Sequence, residues 1–311
     1  MTTSETVVLD IDGLRMRYGS VDVLHDVTFQ VRHGEVVALL GPNGAGKTTT
    51  IEILEGFRAR SAGRVEVLGA DPAHGDEPWR ARVGVVLQSW RDHGKWRVRE
   101  LLAHLGSYYA DYSTERITRP WAADTLIAAV GLTEHANKKI RMLSGGQRRR
   151  LDVAIGLVGR PELVFLDEPG SGLDPVARRE FHDLVQGLAD EGETTILLTT
   201  HDLNEAENLA DRILVLNHGR IVADGTAAEL AQRIAGEDQV RWTRDGQHFR
   251  HSTTESTAFA FDLFQQYGAA IENLEIRRAS LEDTYLSLVH RAESGRYEAA
   301  HVNKAEEEVA R

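Results

Sequence analysis

A chain of 311 residues can hold one large α/β domain and something smaller, and 41% hydrophobic with 27% charged residues is ordinary for a globular protein. The formal net charge of −12 argues against sequence-independent nucleic-acid binding, which depends on a basic footprint. Cysteine is absent, which excludes disulfides and thiolate metal sites and suits a reducing compartment. No run approaches the roughly eighteen apolar residues that cross a bilayer, and Met1–Thr6 has neither the basic nor the apolar region of a secretory leader. Any membrane role is therefore expected to come through a partner.

Alternation predicts half-buried antiparallel strands over 7–11, 14–18 and 27–31, with a turn at Tyr18-Gly19. Tyr18 stands where a ring could lie on an adenine, or equally where a strand-end aromatic could fill a core. The apolar run 36–40 then leads into Gly41-Pro42-Asn43-Gly44-Ala45-Gly46-Lys47-Thr48-Thr49 and a segment that reads as helix. Strand, glycine loop and helix form the context of a phosphate-binding loop. The glycines let backbone N–H groups turn inward around phosphates, and the positive helix end faces the same anion. Lys47 would reach the outer two phosphates, and the Thr48 hydroxyl would complete the shell of Mg²⁺.

A strand closed by glycine is predicted over 62–69, and a second apolar strand over 82–88 ends in Gln88. Apolar residues recur at helical spacing from Val98 to Tyr112, and Trp121 to Val130 is a second helical stretch. No strand pattern interrupts until Leu163, so a helical subdomain, about 89–160, is expected to be inserted into the α/β core. Leu143-Ser144-Gly145-Gly146-Gln147 opens another helix; Ser144 is a good N-cap, and the glycines expose N–H groups at a positive helix end. That makes either a second anion site or simply a helix start.

The apolar run 163–166 ends in Asp167-Glu168, and ligands collect beyond the carboxyl ends of buried parallel strands. The loop 170–175 leads to a helix from near Val176; the strand 194–200 ends at His201, followed by a short helix over 202–209 and closing strands at 212–216 and 220–223. Gly225 marks a boundary. Beyond it a helix at 226–234 precedes a candidate hairpin around Asp245-Gly246, a helix over 257–266, a strand over 274–277, and a helix over 281–291 capped by Ser280. Residues 292–311 are polar with little periodicity and are expected to be disordered.

Together, Tyr18, Gly41–Thr49, Gln88, Leu143–Gln147, Leu163–Glu168, Ser171–Asp174 and His201 resemble, in order, the motifs of ABC transporter ATP-binding subunits. The resemblance implies a phosphate-loop α/β core over 7–225 with an antiparallel β subdomain and the helical insertion. The segment 226–291 is then a small C-terminal α/β extension. It implies ATP and Mg²⁺ as cofactors, with Asp167 holding the ion through water and Gln88 touching ion or water. Glu168 would be the base for the attacking water, and His201 would contact the γ-phosphate. Lys47, the ion and the loop amides would supply the preorganised positive groups that phosphoryl transfer needs. Ser144, Gly145, Gly146, Gln147 and Asp174 would serve the nucleotide of a second subunit, so two chains would sandwich two ATP molecules head-to-tail, as a homodimer if both sites work. Family sequences often have Thr or Ser where this one has Gly170.

The C-terminal stretch 271–286 resembles the tail of bacterial antibiotic- and drug-export ATPases of the daunorubicin-resistance type. This implies a cytoplasmic subunit, peripheral on the inner face of the plasma membrane, that powers a permease. The alternatives are a soluble ABC-type ATPase acting on ribosomes or nucleic acid, and the ATPase of an importer. Trp90, Trp96 and Tyr109 with Arg91, Lys95 and Arg97 form a candidate permease-docking segment, or else fill the subdomain's own core.

Overall fold

The structure, a computed structural model, describes residues 6–86, 93–190, 194–235 and 238–277. Gln88, Trp90, Arg91, the expected helix at 281–291 and the tail 292–311 lie outside the described residues. The chain divides into two compact units, 1–221 and 222–311.

The first unit opens with β1 (Val7–Tyr18) and β2 (Val21–Arg32), an antiparallel pair. The two predicted segments 7–11 and 14–18 are one strand, because a bulge absorbs the break: Ile11 faces Phe29, yet Leu14 faces Val27. Gly13, at φ 61, supplies the left-handed residue, and its N–H donates to Thr28 Oγ1 at 2.9 Å. Next come β3 (Val36–Leu40), α1 (Lys47–Leu54), β4 (Ala62–Val67), a single turn α2 (Glu77–Arg80) and β5 (Val83–Val86). The helical region holds α3 (Val98–Ser107), α4 (Ala123–Ala129) and α5 (Gly145–Leu157), linked by short 3₁₀ turns. Then follow β6 (Leu163–Asp167), α6 (Pro175–Asp190), β7 (Thr195–Thr200), α7 (Leu203–Leu209), β8 (Arg212–Asn217) and β9 (Arg220–Gly225).

The helix expected over 98–112 stops at Ser107, and residues 110–112 form a 3₁₀ turn. Tyr109 turns inward over Gly159, where an added Cβ would meet its ring at 2.6 Å. A tertiary contact thus overrides the helical period.

Two sheets make the core. One has the order β2-β1-β4; the other has the order β5-β6-β7-β3-β8-β9, with β5, β6, β7, β3 and β8 mutually parallel. Every residue of β3 and β7 is buried, which is why β3 reads as an unbroken apolar run and β7 as an apolar run, Ile196–Leu198, flanked by threonines. Leu9, Ile11, Val27 and Phe29 of the antiparallel sheet join Ile51, Leu54, Phe165 and Leu197 in one cluster. Each such side chain contributes about 1.5–3 kcal/mol on leaving water. The carboxyl ends of β3, β6 and β7 lie side by side, and the loops that leave them carry Lys47, Glu168 and His201.

The second unit continues into α8 (Ala227–Ala235), β10 (Asp238–Arg244), β11 (Gln247–Thr253), α9 (Ser256–Tyr267) and β12 (Glu272–Arg277), with sheet order β11-β10-β12. The predicted hairpin is present: Asp245 and Gly246 both have positive φ, 52° and 74°, as a two-residue turn of the right twist requires. Trp242 stacks on Phe249 at 5.5 Å above the small core of Val240, Leu263 and Ile271.

Candidate nucleotide site

The loop after β3 is held from below. An added Cβ at Gly41 would stand 2.2 Å from the Leu216 carbonyl oxygen, and one at Gly46, where φ is 107°, would stand 2.6 Å from Leu24 Cδ2. Glycine is required at both for steric reasons. Gly46 starts α1, and Asn43, Gly44 and Thr48 face solvent at its positive end. Lys47 is buried, and its Nζ donates to the carbonyls of Gly41 at 2.8 Å and Pro42 at 3.3 Å.

Glu168 follows β6 and brings the loop into register with its neighbours. Its Oε1 is 3.5 Å from Lys47 Nζ and 3.3 Å from His201 Nδ1. Residues 47, 168 and 201, far apart in sequence, therefore meet at one carboxylate oxygen. Glu168 has φ 43°, a left-handed conformation that costs a non-glycine residue energy and persists only where its surroundings hold it. Thr199 supplies part of the hold: its Oγ1 accepts from Glu168 N–H at 2.9 Å and donates to Asp167 Oδ1 at 2.6 Å. Sequence reading passed over Thr199; a threonine as the penultimate residue of a buried apolar strand was the available signal.

Tyr18 is 39% exposed, which removes the core-filling alternative, and the Arg58 guanidinium lies 5.1 Å from its ring centroid.

Ser144 caps α5 in a reciprocal box: its Oγ accepts from Gln147 N–H, and Gln147 Oε1 accepts from Ser144 N–H. Gln147 is further tied by Lys138 Nζ at 3.4 Å and by His135 Nε2 at 2.9 Å, two contacts that sequence reading missed because neither residue belongs to a motif. Ser144, Gly145, Gly146 and Gln147 line a cleft of about 530 Å³ together with Gly172 and Asp174. No residue of the loop 41–49 lines that cleft. Asp174 Oδ1 accepts from the N–H groups of Val176 and Ala177, both at 3.0 Å, and so starts α6.

A glycine loop on a helix N-terminus beside an acidic pair at the end of a parallel strand defines the class: a phosphate-loop nucleoside triphosphatase. Residues 24–171 match the family model described as ABC transporter. The chain is 40% identical over 232 residues to the daunorubicin resistance ATP-binding protein DrrA3 of Streptomyces coeruleorubidus, covering 74% of this chain and 71% of that one. It is also 40% identical over 237 residues to the Nod factor export ATP-binding protein I of Ralstonia nicotianae, covering 76% and 72%. Among solved structures, an ATP-binding subunit of an ABC transporter superposes with TM-score 0.64 at 25% identity, over 90% of this chain and 99% of that one. The chain belongs to the ABC transporter family as an ATP-binding subunit, a cassette that hydrolyses ATP to drive transport.

Proposed function

We propose that the chain powers an exporter of drug-like or antibiotic molecules by ATP-driven closure of a head-to-tail homodimer. The observation that carries the catalytic part is the convergence of Lys47 and His201 on one oxygen of Glu168. Lys47 and the loop amides bind the outer phosphates. Glu168 orients a water molecule and takes its proton, while His201 contacts the γ-phosphate as charge develops there. Tyr18 stacks on the adenine.

The residues near the loop suit Mg²⁺, a hard ion that takes oxygen ligands and few protein carboxylates. Thr48 is exposed at the loop, and Asp167, one of whose oxygens receives the Thr199 hydroxyl, offers a second oriented oxygen. Among the described residues no group of three His, Cys, Asp or Glu could hold a metal, and phosphate oxygens and water would have to supply the remaining ligands. Thr48, Asp167 through water, and Gln88 would hold the ion, which offsets charge on the phosphates.

The dimer is supported by the cleft at Ser144–Gln147 and Asp174, which no residue of its own chain's phosphate loop 41–49 lines; a partner's nucleotide fits that role. Export is supported by the relatives' names, a daunorubicin resistance protein and a Nod factor exporter. Among the described residues no helix is long and apolar enough to cross a membrane, and a permease would supply the path. Its docking face is a ladder of rings running His93, Trp96, His104, Tyr108, with centroids 5.9, 5.0 and 5.3 Å apart, beside the exposed Lys95 and Arg97. The working position is the cytoplasmic face of the plasma membrane. Reconstitution with a cognate permease is the test: ATP-dependent drug movement out of the nucleotide-containing compartment is expected, and uptake into it would overturn export.

A further inference from the structure

The backbone of Glu168 is strained, and Thr199 grips only its amino side. What holds the carboxyl side is a buried charged group that belongs to no motif. Arg149, on the second turn of α5, is 6% exposed, and its Nε donates to the Pro169 carbonyl at 2.8 Å. Glu205, in the first turn of α7, is 3% exposed. An added Cβ at Gly170 would stand 2.3 Å from Glu205 Oε1, so the loop backbone lies directly against that carboxylate. Asp152, one turn along α5, and Glu205 both act on the Arg149 charge, and His182 Nε2 stands 3.8 Å from Glu205 Oε1.

Buried charged groups are costly unless partnered, and a chain that buries an arginine and a glutamate against one peptide unit fixes that peptide. We propose that Arg149 and Glu205 are positioning residues for hydrolysis: they hold the Pro169–Gly170 peptide, one peptide beyond Glu168, and with it the left-handed backbone of Glu168, keeping the carboxylate aimed at the reacting phosphate. This rests on Glu168 being the base. Because Arg149 lies on the helix that Ser144 starts, the same grip makes the α5 N-terminus and the Glu168 loop one rigid piece. The grip acts on the loop after β6 and not on the phosphate loop, so turnover should respond more than binding.

The experiment compares R149M, R149K and E168Q in the full chain, measuring MgATP affinity by calorimetry, steady-state kcat and KM, and amide hydrogen exchange. R149M is expected to keep nucleotide affinity within about twofold while kcat falls about tenfold to a hundredfold, as a misaimed catalytic group does. Ser171 N–H, which donates to the Glu168 carbonyl at 3.1 Å, should exchange faster, with the amides of β3 and β7 unchanged. R149K, which keeps one donor for Pro169, should recover part of kcat. If R149M does not fold, R149K decides alone: faster exchange at Ser171 with lowered kcat and normal affinity supports the grip. A folded R149M, or failing that R149K, with normal kcat and normal Ser171 protection overturns it. E168Q keeps the two failures apart, since normal turnover there removes the base itself, whereas loss in E168Q with none in R149M removes only the positioning role.

Discussion

Lys47 Nζ stands 3.5 Å from Glu168 Oε1, joining the group that would bind phosphate to the group that would activate water. Glu168→Gln keeps the shape and removes the charge and the base. ATP binding should persist while turnover drops about 10²- to 10⁴-fold, the usual worth of a general base. A coupled phosphate-release assay checks this; near-normal turnover would sink the assignment.

Lys47→Ala should act earlier. A charge-assisted contact with the phosphates contributes in ground and transition states alike, so nucleotide affinity should weaken about tenfold to a hundredfold. Calorimetry with a non-hydrolysable analogue reads it directly, and unchanged affinity counts against the loop's role.

Ser144→Arg puts a long cation into the cleft at the head of α5. One chain should still bind ATP, yet two should not close on it. Mixing Ser144→Arg with Lys47→Ala should restore about one composite site per dimer if sites are completed in trans. An inactive mixture would mean that each chain completes its own.

Tyr108→Ala and Lys95→Ala alter side chains that solvent already reaches, Tyr108 being 63% exposed. Basal ATPase of the isolated subunit should stay within about twofold, while transport in vesicles with the permease should fall further. Transport that drops only in step with ATPase would mean that this face receives no permease.

Asp71 offers a pH test of stability away from the site. Arg60 donates to both its oxygens at 2.8 and 2.7 Å, and that pairing lowers its pKa to about 2. The unfolded chain, near 3.9, binds the proton first, so the contribution is present above about pH 4 and lost as pH falls through about 2. Discounted for the solvent that reaches the pair, Asp71→Asn should cost about 1 kcal/mol at pH 7 and progressively less below pH 4. Denaturant unfolding at several pH values measures it; a cost independent of pH would refute the linkage.

The phosphate loop was legible because its chemistry is local: glycine positions, one lysine and flanking periodicities all fall within about fourteen residues. Ser144 was legible for the same reason, as an N-cap at a helix start, whereas its reciprocal box with Gln147 was seen only in the structure. Thr199, Arg149 and Glu205 were not, since their meaning lies in partners 31, 20 and about 35 residues away. Nothing in a run of three arginines says that the middle one turns inward. The single long β1 was missed because a bulge at Gly13 breaks the alternation without breaking the strand, and the early end of α3 because Tyr109 answers to Gly159 rather than to its own helix.

The strand order has a consequence for how the molecule is made. β3, which carries the phosphate loop, lies between β7 and β8, and Gly34 just before it donates to Thr195, 161 residues further on. A chain leaving the ribosome therefore presents β3 long before either neighbour exists, and the loop cannot take its shape until β7 has been synthesised and slotted between β6 and β3. Such long-range pairing makes folding slow and leaves apolar edges open meanwhile. Nascent chains stalled before Thr195 should bind no nucleotide, and those stalled well past Asn217 should, so competence arises late and abruptly during synthesis.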